Sequence, residues 1–359
     1  MYDQIRQDTL FIILYSVVTA MAAMASCYLL FRQGNAFAKD VTPPARLRRW
    51  TAAFLAAFAL NHVWYMPIFF LSSNEDIMMT DLIGGLLDSM TVFPLMIIVL
   101  FAMPQDRRQP LWPVAVMVAP LAVGNALCVA TLSYDFLPIV YIYALLMCMG
   151  LIIYMVRALR RYGRWLRDNF ADLEHKEVWQ SFVVLAIILL MFVVYALTNE
   201  NQIFIYVMLV ISAVFICYLL WRVETLSDLS TSIQSDAGNA LSLTIRNNIG
   251  PLLKQYCEDT HLYLQHDISL SQLATSIGIN RSYLSKHFAM QGLTYNAYIN
   301  GLRIQHFIKL YHEAVATHQP IMVQQLALQS GFRSYSTFNA VFKQSMGTTA
   351  TEWMRNMTE

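Results

Sequence analysis

Residues 272–279 read QLATSIGI, and residues 325–332 read QLALQSGF. The two phrases share a Gln-Leu-Ala start and a following glycine, and their first residues, 272 and 325, lie 53 positions apart. Each is followed by an amphipathic run that ends in a phenylalanine, and these residues, Phe288 and Phe342, lie 54 positions apart. A short helix, a glycine turn and a second helix, present twice, is the pattern of two helix-turn-helix units in tandem.

The first unit is predicted from its cap and turn residues. Ser269 can cap the helix that follows it, and Gly278 suits a left-handed turn without steric penalty. The second helix is predicted to start at Asn280 or Ser282. At 100° per residue, one face of this helix is free to enter a major groove. That face, with its edge, carries Arg281, Ser282, Ser285, Lys286 and Ala289.

The second unit repeats this arrangement. Residues 322–328 form the predicted supporting helix, Gly331 makes the turn, and Phe338 and Phe342 face the core. Short polar side chains suit base edges, and basic side chains suit phosphates. The predicted DNA-contacting set here is Arg333, Ser334, Tyr335, Ser336, Asn339 and Lys343.

A long helical pattern from Tyr295 to about Glu313 joins the two units. Nearly 20 helical residues span roughly 30 Å, which is close to one turn of B-DNA, about 34 Å. The two units are therefore expected to reach successive grooves on one face of a duplex.

The sequence from Arg246 onward has nine Lys or Arg against six acidic residues, a net charge of +3. This excess is modest for a DNA-binding domain. A helical docking domain that binds protein is the alternative interpretation of the duplication.

The composition of the whole chain is not that of an ordinary soluble protein. Of 359 residues, 57% are hydrophobic and 13% charged, and the mean hydropathy is +0.46. Seven runs are long enough to cross about 30 Å of hydrocarbon, which takes about 20 helical residues. These runs are 9–31, 51–71, 82–103, 112–131, 137–157, 180–198 and 203–222. The first is predicted to be a retained helix, although Ala25-Ser26-Cys27 faintly resembles a lipoprotein cleavage site.

The loops between these runs differ in charge, which predicts their orientation. The odd-numbered loops carry the basic residues Arg32, Lys39, Arg46, Arg48, Arg49, Arg107, Arg108, Arg157, Arg160, Arg161, Arg164, Arg167 and Lys176. The even-numbered loops contain acids and no Lys or Arg. The N-terminus is therefore predicted outside, and seven crossings bring the C-terminal domain to the cytoplasm, where DNA is.

Ionisable groups inside membrane spans are costly and are candidates for function. His62 lies in the second run and Asp88 in the third, with Asn125 as a neutral companion in the fourth. They are predicted either to line a pocket for a signal or to form hydrogen bonds that hold the bundle together. The five cysteines show no spacing for a disulfide framework or zinc, so neither a metal nor a cofactor is expected.

The predicted domains are a transmembrane sensor over 1–222, a linker over 223–248 and a DNA-binding domain over 249–359. The linker is either a short coiled coil that pairs two protomers into a homodimer or a plain helix. Gly250-Pro251 is expected to mark a break, followed by an amphipathic helix under the first helix-turn-helix unit.

Residues 268–355 resemble the AraC/XylS-type DNA-binding domain. The resemblance rests on Leu273-Ala274, on 283–288 (YLSKHF), on Gly292-Leu293-Thr294, on Leu302-Arg303-Ile304 and above all on 331–343 (GFRSYSTFNAVFK) with Gly347-Thr348-Thr349. It implies a bacterial transcription regulator with recognition helices at about 281–290 and 334–344. Asn339-Ala340 depart from the family's frequent basic residue, and Ala350 from its common proline.

Together these features predict an all-α protein, with a seven-helix transmembrane bundle followed by a cytoplasmic AraC-type domain of two helix-turn-helix units joined by a long helix. The predicted function is a one-component regulator in the bacterial cytoplasmic membrane, not an enzyme. Its predicted partners are promoter DNA, the lipid bilayer, a second protomer and an extracytoplasmic or membrane ligand or protein. The alternative is a transporter or membrane enzyme carrying an appended regulatory or docking domain.

Overall fold

The structure is a computed structural model. It describes residues 8–32, 35–38, 41–106, 109–174, 176–180, 183–184, 186–187, 202–229, 249–318, 320 and 322–358. Throughout this described part the regular elements are helices, as predicted, and no strand is present apart from one isolated bridge between Phe170 and Ser269. The chain divides into two compact units, Met1–Tyr162 with Val178–Asp228 and Gly163–Glu177 with Leu229–Glu359.

The first unit contains the apolar helices. They are α1 (Thr9–Phe31), α2 (Ala45–Tyr65), α3 (Asn74–Met90), α4 (Val92–Ala102), α5 (Trp112–Thr131), α6 (Leu137–Asn169, whose last turns belong to the second unit) and α7 (Gln202–Thr225). Among the described residues, six helical segments are long and apolar enough to cross a membrane, with α3 and α4 forming one of them. They correspond to six of the seven predicted runs. The remaining predicted run, 180–198, which is the sixth in chain order, lies largely outside the described residues. Most of the predicted linker also lies outside them.

The third span is broken where the sequence contains a proline. Thr91 separates α3 from α4 with φ −125° and ψ −65°. Pro94 has no N–H to donate and its ring clashes with the carbonyl four residues earlier, so a straight helix through this point is disfavoured. The Thr91 hydroxyl donates to the carbonyl of Leu87 at 2.7 Å, which also accepts from the Thr91 backbone N–H at 3.0 Å.

Small residues let the first two helices approach closely. Ala22 and Ala52 are completely buried, and the Ser26 hydroxyl donates across to the carbonyl of Ala52 at 2.8 Å. In a bilayer the lipid tails are as apolar as leucine, so close packing and hydrogen bonds between helices, rather than burial from water, hold such a pair together.

The second unit consists of short helices around two apolar clusters. They are α8 (Ile249–Leu253), α9 (Leu270–Ile277), α10 (Arg281–Met290), α11 (Tyr295–Ala316), α12 (Val323–Gln329), α13 (Tyr335–Met346) and α14 (Ala350–Thr358). The helix pairs α9–α10 and α12–α13 are the two predicted helix-turn-helix units, and α11 joins them. Gly250 and Pro251 lie within the first described turn of α8, and the residues before Ile249 lie outside the described part of the chain.

Each helix-turn-helix unit has its own core. Leu273, Leu284 and Phe288 lie in the first cluster, together with Leu253 and Cys257 from the segment before α9. Phe307, Phe332, Phe338 and Phe342 lie in the second, where their rings contact one another with centroids 4.6 to 5.6 Å apart. Phe288 and Phe342, which end the amphipathic runs that follow the two repeated phrases, are both buried.

The two turn glycines differ in their surroundings. Gly278 (φ 77°) and Gly331 (φ 92°) both adopt the left-handed conformation. A Cβ at Gly278 would meet nothing within 4 Å, whereas one at Gly331 would lie 2.8 Å from Leu264 Cα and 3.2 Å from Arg303 Nε. The second turn therefore requires glycine for space as well as for conformation.

We expect Gly331→Ala to destabilise its unit by about 3 kcal/mol, because it adds overpacking to the cost of a left-handed non-glycine residue. Gly278→Ala is the matched control and should cost about 1 kcal/mol. Hydrogen exchange of the full chain, read at α13 for Gly331→Ala and at α10 for Gly278→Ala, measures both. Equal losses of protection would contradict the role given to the Leu264 contact.

Candidate nucleic-acid interface

The first recognition helix, α10, is fixed at its start by a side-chain cap. Asn280 Oδ1 accepts from the backbone N–H of Ser282 at 2.8 Å, and the preceding helix begins with a capping box between Ser269 and Gln272. Asn280 is therefore the N-cap, and the helix begins at Arg281, between the two predicted start residues Asn280 and Ser282. With Leu284 buried in the core, the opposite face of the helix is left outside.

The residues predicted to contact DNA lie on that outer face of α10. Ser282 and Lys286 are exposed, and Ser285 is half-buried. Arg281, at the edge, is also half-buried, and its guanidinium donates from Nε to Asn169 Oδ1 at 3.0 Å and from Nη2 to the same oxygen. The structure brings these residues to one face, with Arg281 already bonded to a neighbour that is remote in sequence.

The second recognition helix, α13, is arranged in the same way. Ser334 caps it by accepting from the Thr337 backbone N–H at 3.3 Å. Ser336 and Lys343 are exposed and Asn339 is half-buried. The Tyr335 ring stacks on Phe338 with centroids 6.0 Å apart, so this predicted contact residue also packs against the core.

Arg333, just before α13, lies among carboxylates. Its Nη1 is 3.3 Å from Asp267 Oδ2 and 3.8 Å from Asp172 Oδ2. Lys176 Nζ is 3.0 Å from Asp267 Oδ1. Burial on its own raises the pKa of the Asp267 carboxyl, but Lys176 and Arg333 outweigh it and hold that pKa below its usual range. Asp267 is therefore ionised at neutral pH and competes for the cation that was predicted to bind phosphate.

Three residues that contact the recognition helices were not predicted from the sequence. Asn169 bonds Arg281, Asp172 faces Arg333, and Glu174 Oε2 accepts from the Thr337 hydroxyl at 3.3 Å. The bonded partners are 112 and 163 positions apart in the two hydrogen-bonded pairs. Asn169, Asp172 and Glu174 belong to a segment that looks like an ordinary loop between membrane spans, so no local signal identifies them.

One buried cation joins the two helix-turn-helix units. Arg303, near the middle of α11, is 1% exposed. Its Nε donates to the carbonyl of Tyr263 at 2.8 Å, and Nη2 donates to those of Gln265 at 2.8 Å and His266 at 3.3 Å. The guanidinium also lies over the Phe332 ring, 5.7 Å from its centroid. Burial lowers the pKa of Arg303, but arginine stays protonated in proteins.

The predicted polar residues of the membrane unit form two separate groups instead of one. Asp88 accepts two hydrogen bonds from Asn61 Nδ2, at 2.7 and 2.8 Å, and one from the Tyr65 hydroxyl at 3.1 Å. The ring of His62 bonds the carbonyl of Phe58 at 3.0 Å, one turn earlier on α2. Residues 61 and 62 are separated by about 100° around the helix, and here Asn61 faces Asp88 while the His62 ring bonds within its own helix.

Asn125, the third predicted member of the pocket, packs near α3. A Cβ added to Gly85 would lie 3.5 Å from Asn125 Oδ1. Gly84 is closer still to the Tyr65 ring, whose atoms would lie 2.4 to 2.9 Å from its Cβ. The glycine pair therefore makes room for polar side chains beside Asp88. Among the described residues no cluster of three or more potential metal ligands is present.

Comparison with known proteins locates the family likeness in the second unit. Residues 273–356 match the family model described as a helix-turn-helix domain. An uncharacterized HTH-type transcriptional regulator of Staphylococcus aureus is 34% identical over 92 residues, which are 25% of this chain and 12% of that protein. Similar regulators of strains MRSA252 and COL are 33% and 32% identical over 92 residues, with the same coverage of both chains. No solved structure matches.

The match lies within the part of the chain that resembles the AraC/XylS type, so the C-terminal part is an AraC-type helix-turn-helix domain. The six apolar helices that precede it fit a membrane domain. Since the matched segment covers 12% of the relatives, the likeness concerns this domain and not the membrane helices.

We expect Arg303→Leu to destabilise the compact unit that contains both helix-turn-helix units by about 3 kcal/mol, because three buried backbone carbonyls lose a charged donor. Lys309→Leu on the same helix is the control. Its side chain is 66% exposed and pairs with Glu313 at 3.8 Å, so its loss should cost less than about 1 kcal/mol.

Urea-dependent labelling of the buried thiol of Cys257 in the full chain, read by mass spectrometry of its peptide, measures this difference. Cys257 is fully buried in the first cluster. Labelling of Arg303→Leu and Lys309→Leu at the same urea concentration would show that Arg303 does not join the units.

Proposed function

We propose that this protein is a membrane-embedded one-component transcription regulator that binds specific DNA sequences through both helix-turn-helix units and senses a signal through its transmembrane helices. One observation carries the proposal. Two capped recognition helices expose polar faces, and they lie in the same chain as six helices of membrane-spanning length.

The dimensions of the DNA-binding domain support binding of its two helix-turn-helix units to successive major grooves of one duplex. Helix α11 has 22 residues, which at a rise of about 1.5 Å per residue gives roughly 33 Å. This length is close to one helical turn of B-DNA. Lys286 and Lys343 are both exposed on the outer faces of α10 and α13, where they would bind phosphates. Ser285 and Asn339, which occupy corresponding positions 54 residues apart, would face base edges.

The orientation proposed is the N-terminus outside and the second unit in the bacterial cytoplasm. It is supported by the basic residues of the odd-numbered loops. It also needs a crossing over 180–198, because six spans alone would return both ends to the same side. The homodimer suggested by residues 223–248 belongs to the same proposal and rests on their heptad-like spacing alone.

The sensing role is assigned to the membrane unit around Asp88. An ionisable group inside a span is kept for a reason, either structural or functional, and the glycines of α3 leave room beside Asp88 for polar partners. A signal acts only if it binds two states of the bundle with different affinity. His62 and Asn125 remain candidate members of this sensing region, each in its own surroundings.

We expect Lys286→Ala and Lys343→Ala each to weaken binding to all duplexes about equally, because each removes a phosphate contact. The slope of log affinity against log salt should become shallower by about one for each variant. Lys309→Ala, which removes the same charge from α11, should leave the slope nearly unchanged. Fluorescence anisotropy of the full chain in lipid nanodiscs measures these slopes.

Ser285→Glu and Asn339→Glu, made in the same preparation, should abolish sequence preference, because each places a carboxylate against base edges or phosphates. Unchanged occupancy of cellular DNA by both variants would instead support a docking domain.

We expect alkaline phosphatase fused after residue 200 to be active and the same enzyme fused after residue 229 to be inactive, because the enzyme folds only outside the cytoplasm. A fusion after residue 135, in an acidic loop, serves as the positive control. Equal activity at 200 and 229 would show that α7 does not cross.

The alternative function, a transporter with an attached regulatory domain, predicts substrate movement across the bilayer. Flux of candidate solutes in proteoliposomes that is lost in Asp88→Ala would support it. We expect no such flux, and instead a loss of signal-dependent DNA occupancy in Asp88→Ala.

A further inference from the structure

The segment Gly163–Glu177, called the strap below, belongs to the DNA-binding unit although the chain places it between the fifth and sixth predicted spans. Ala171 is 2% exposed and lies in the apolar cluster of the first helix-turn-helix unit. Its N–H donates to the carbonyl of Ile268 at 3.3 Å. Asn296 of α11 donates from Nδ2 to the carbonyls of Phe170 and Ala171 at 3.2 and 2.6 Å. The strap is therefore docked by backbone bonds and by burial.

From this docked position the strap contacts both recognition helices. Asn169 accepts from Arg281, the first residue of α10. Glu174 accepts from Thr337, the third residue of α13. Asp172 lies 3.8 Å from the guanidinium of Arg333, two residues before α13. The three acceptors are thus all placed at the N-terminal ends of the recognition helices.

These ends are where a helix-turn-helix domain meets DNA. The N-terminal residues of a recognition helix contact base edges, and helix N-termini and arginines bind phosphate oxygens. The strap supplies carboxylate and amide oxygens to the same donors. Asp172 is 2% exposed at its side chain and faces Arg333, which is 25% exposed, so that guanidinium is partly withdrawn from solvent.

We propose that the strap is an autoinhibitory element, which occupies Arg281, Arg333 and Thr337 in place of DNA phosphates and must leave them for full DNA binding. This inference rests on the proposed DNA-binding function. It makes the loop between the fifth and sixth spans a point of control in addition to the predicted linker at 223–248. The rest of each outer face, including Ser282, Lys286 and Lys343, is exposed, so the strap weakens binding instead of abolishing it.

Two variants weaken the contacts between the strap and the recognition helices in different ways. Glu174→Gln removes a charge next to α13, and Asn169→Ala removes the amide oxygen that accepts from Arg281 without changing the charge of the chain. Asp168→Asn is the matched control for Glu174→Gln, because it removes one acidic charge from an exposed position of the same segment.

The full chains in phosphatidylcholine nanodiscs are titrated with a random-sequence duplex of about 40 base pairs, roughly four turns of B-DNA. We expect Glu174→Gln and Asn169→Ala to bind about 3 to 10 times more tightly than wild type. The salt dependence should become steeper by about one for each additional phosphate that the protein binds. Asp168→Asn should change affinity less than twofold.

Hydrogen exchange provides a second measurement that does not depend on the variants. In the wild-type chain the Ala171 amide should lose protection when saturating duplex is added, because the strap leaves its place. Unchanged or weaker binding by both release variants, together with retained protection of the Ala171 amide on DNA, would overturn the autoinhibitory role and leave DNA binding intact. If neither wild type nor release variants bind any duplex, the proposed function itself fails.

Discussion

The DNA-binding unit depends on one buried guanidinium. Arg303 ties the loop before the first helix-turn-helix unit to α11 through three carbonyls, and it lies over Phe332 in the turn of the second helix-turn-helix unit. A buried arginine is costly unless its donors are used, and here they converge on carbonyls of the 3-10 turn Leu262–Leu264 and of the short segment between it and α9. His266 adds a bond from this loop to the carbonyl of Gly331 at 3.1 Å. The relative placement of the two recognition helices follows from this joint.

The Arg303 contacts explain how the strap can reach both recognition helices. Because Arg303 fixes the first helix-turn-helix unit against the second, one short segment can reach Arg281 on α10 and Thr337 on α13 together. Asp267 shows the same crowding, since it lies within 3.3 Å of both Lys176 and Arg333. The arrangement therefore favours control of both as one body.

The repeated phrases predicted the DNA-binding unit closely because its determinants are local. Ser269, Gly278, Ser334 and Gly331 act on residues within a few positions, through capping bonds and left-handed turns. Hydrophobic runs likewise predicted the membrane helices from length alone. Contacts between residues that are distant in sequence could not be predicted from such local patterns. The pairing of Asp88 with Asn61 and Tyr65 depends on helix rotation, and the strap depends on a packing of segments more than a hundred positions apart.

In the proposed regulator, the strap is the segment through which a membrane signal acts on DNA binding. The chain runs without interruption from the fifth segment of membrane-spanning length into the strap, since this segment, α6, ends at Asn169, the residue that bonds Arg281. In the proposed regulator, a displacement of this helix end reaches Arg281 through the side chain of Asn169. The increase in DNA affinity is limited by the free energy of the contacts between the strap and the recognition helices. A tenfold change in DNA affinity corresponds to about 1.4 kcal/mol, so a signal must distinguish the two states by at least that amount. A few hydrogen bonds at the ends of two helices are of this size, which suits a switch that a membrane ligand of modest affinity can operate.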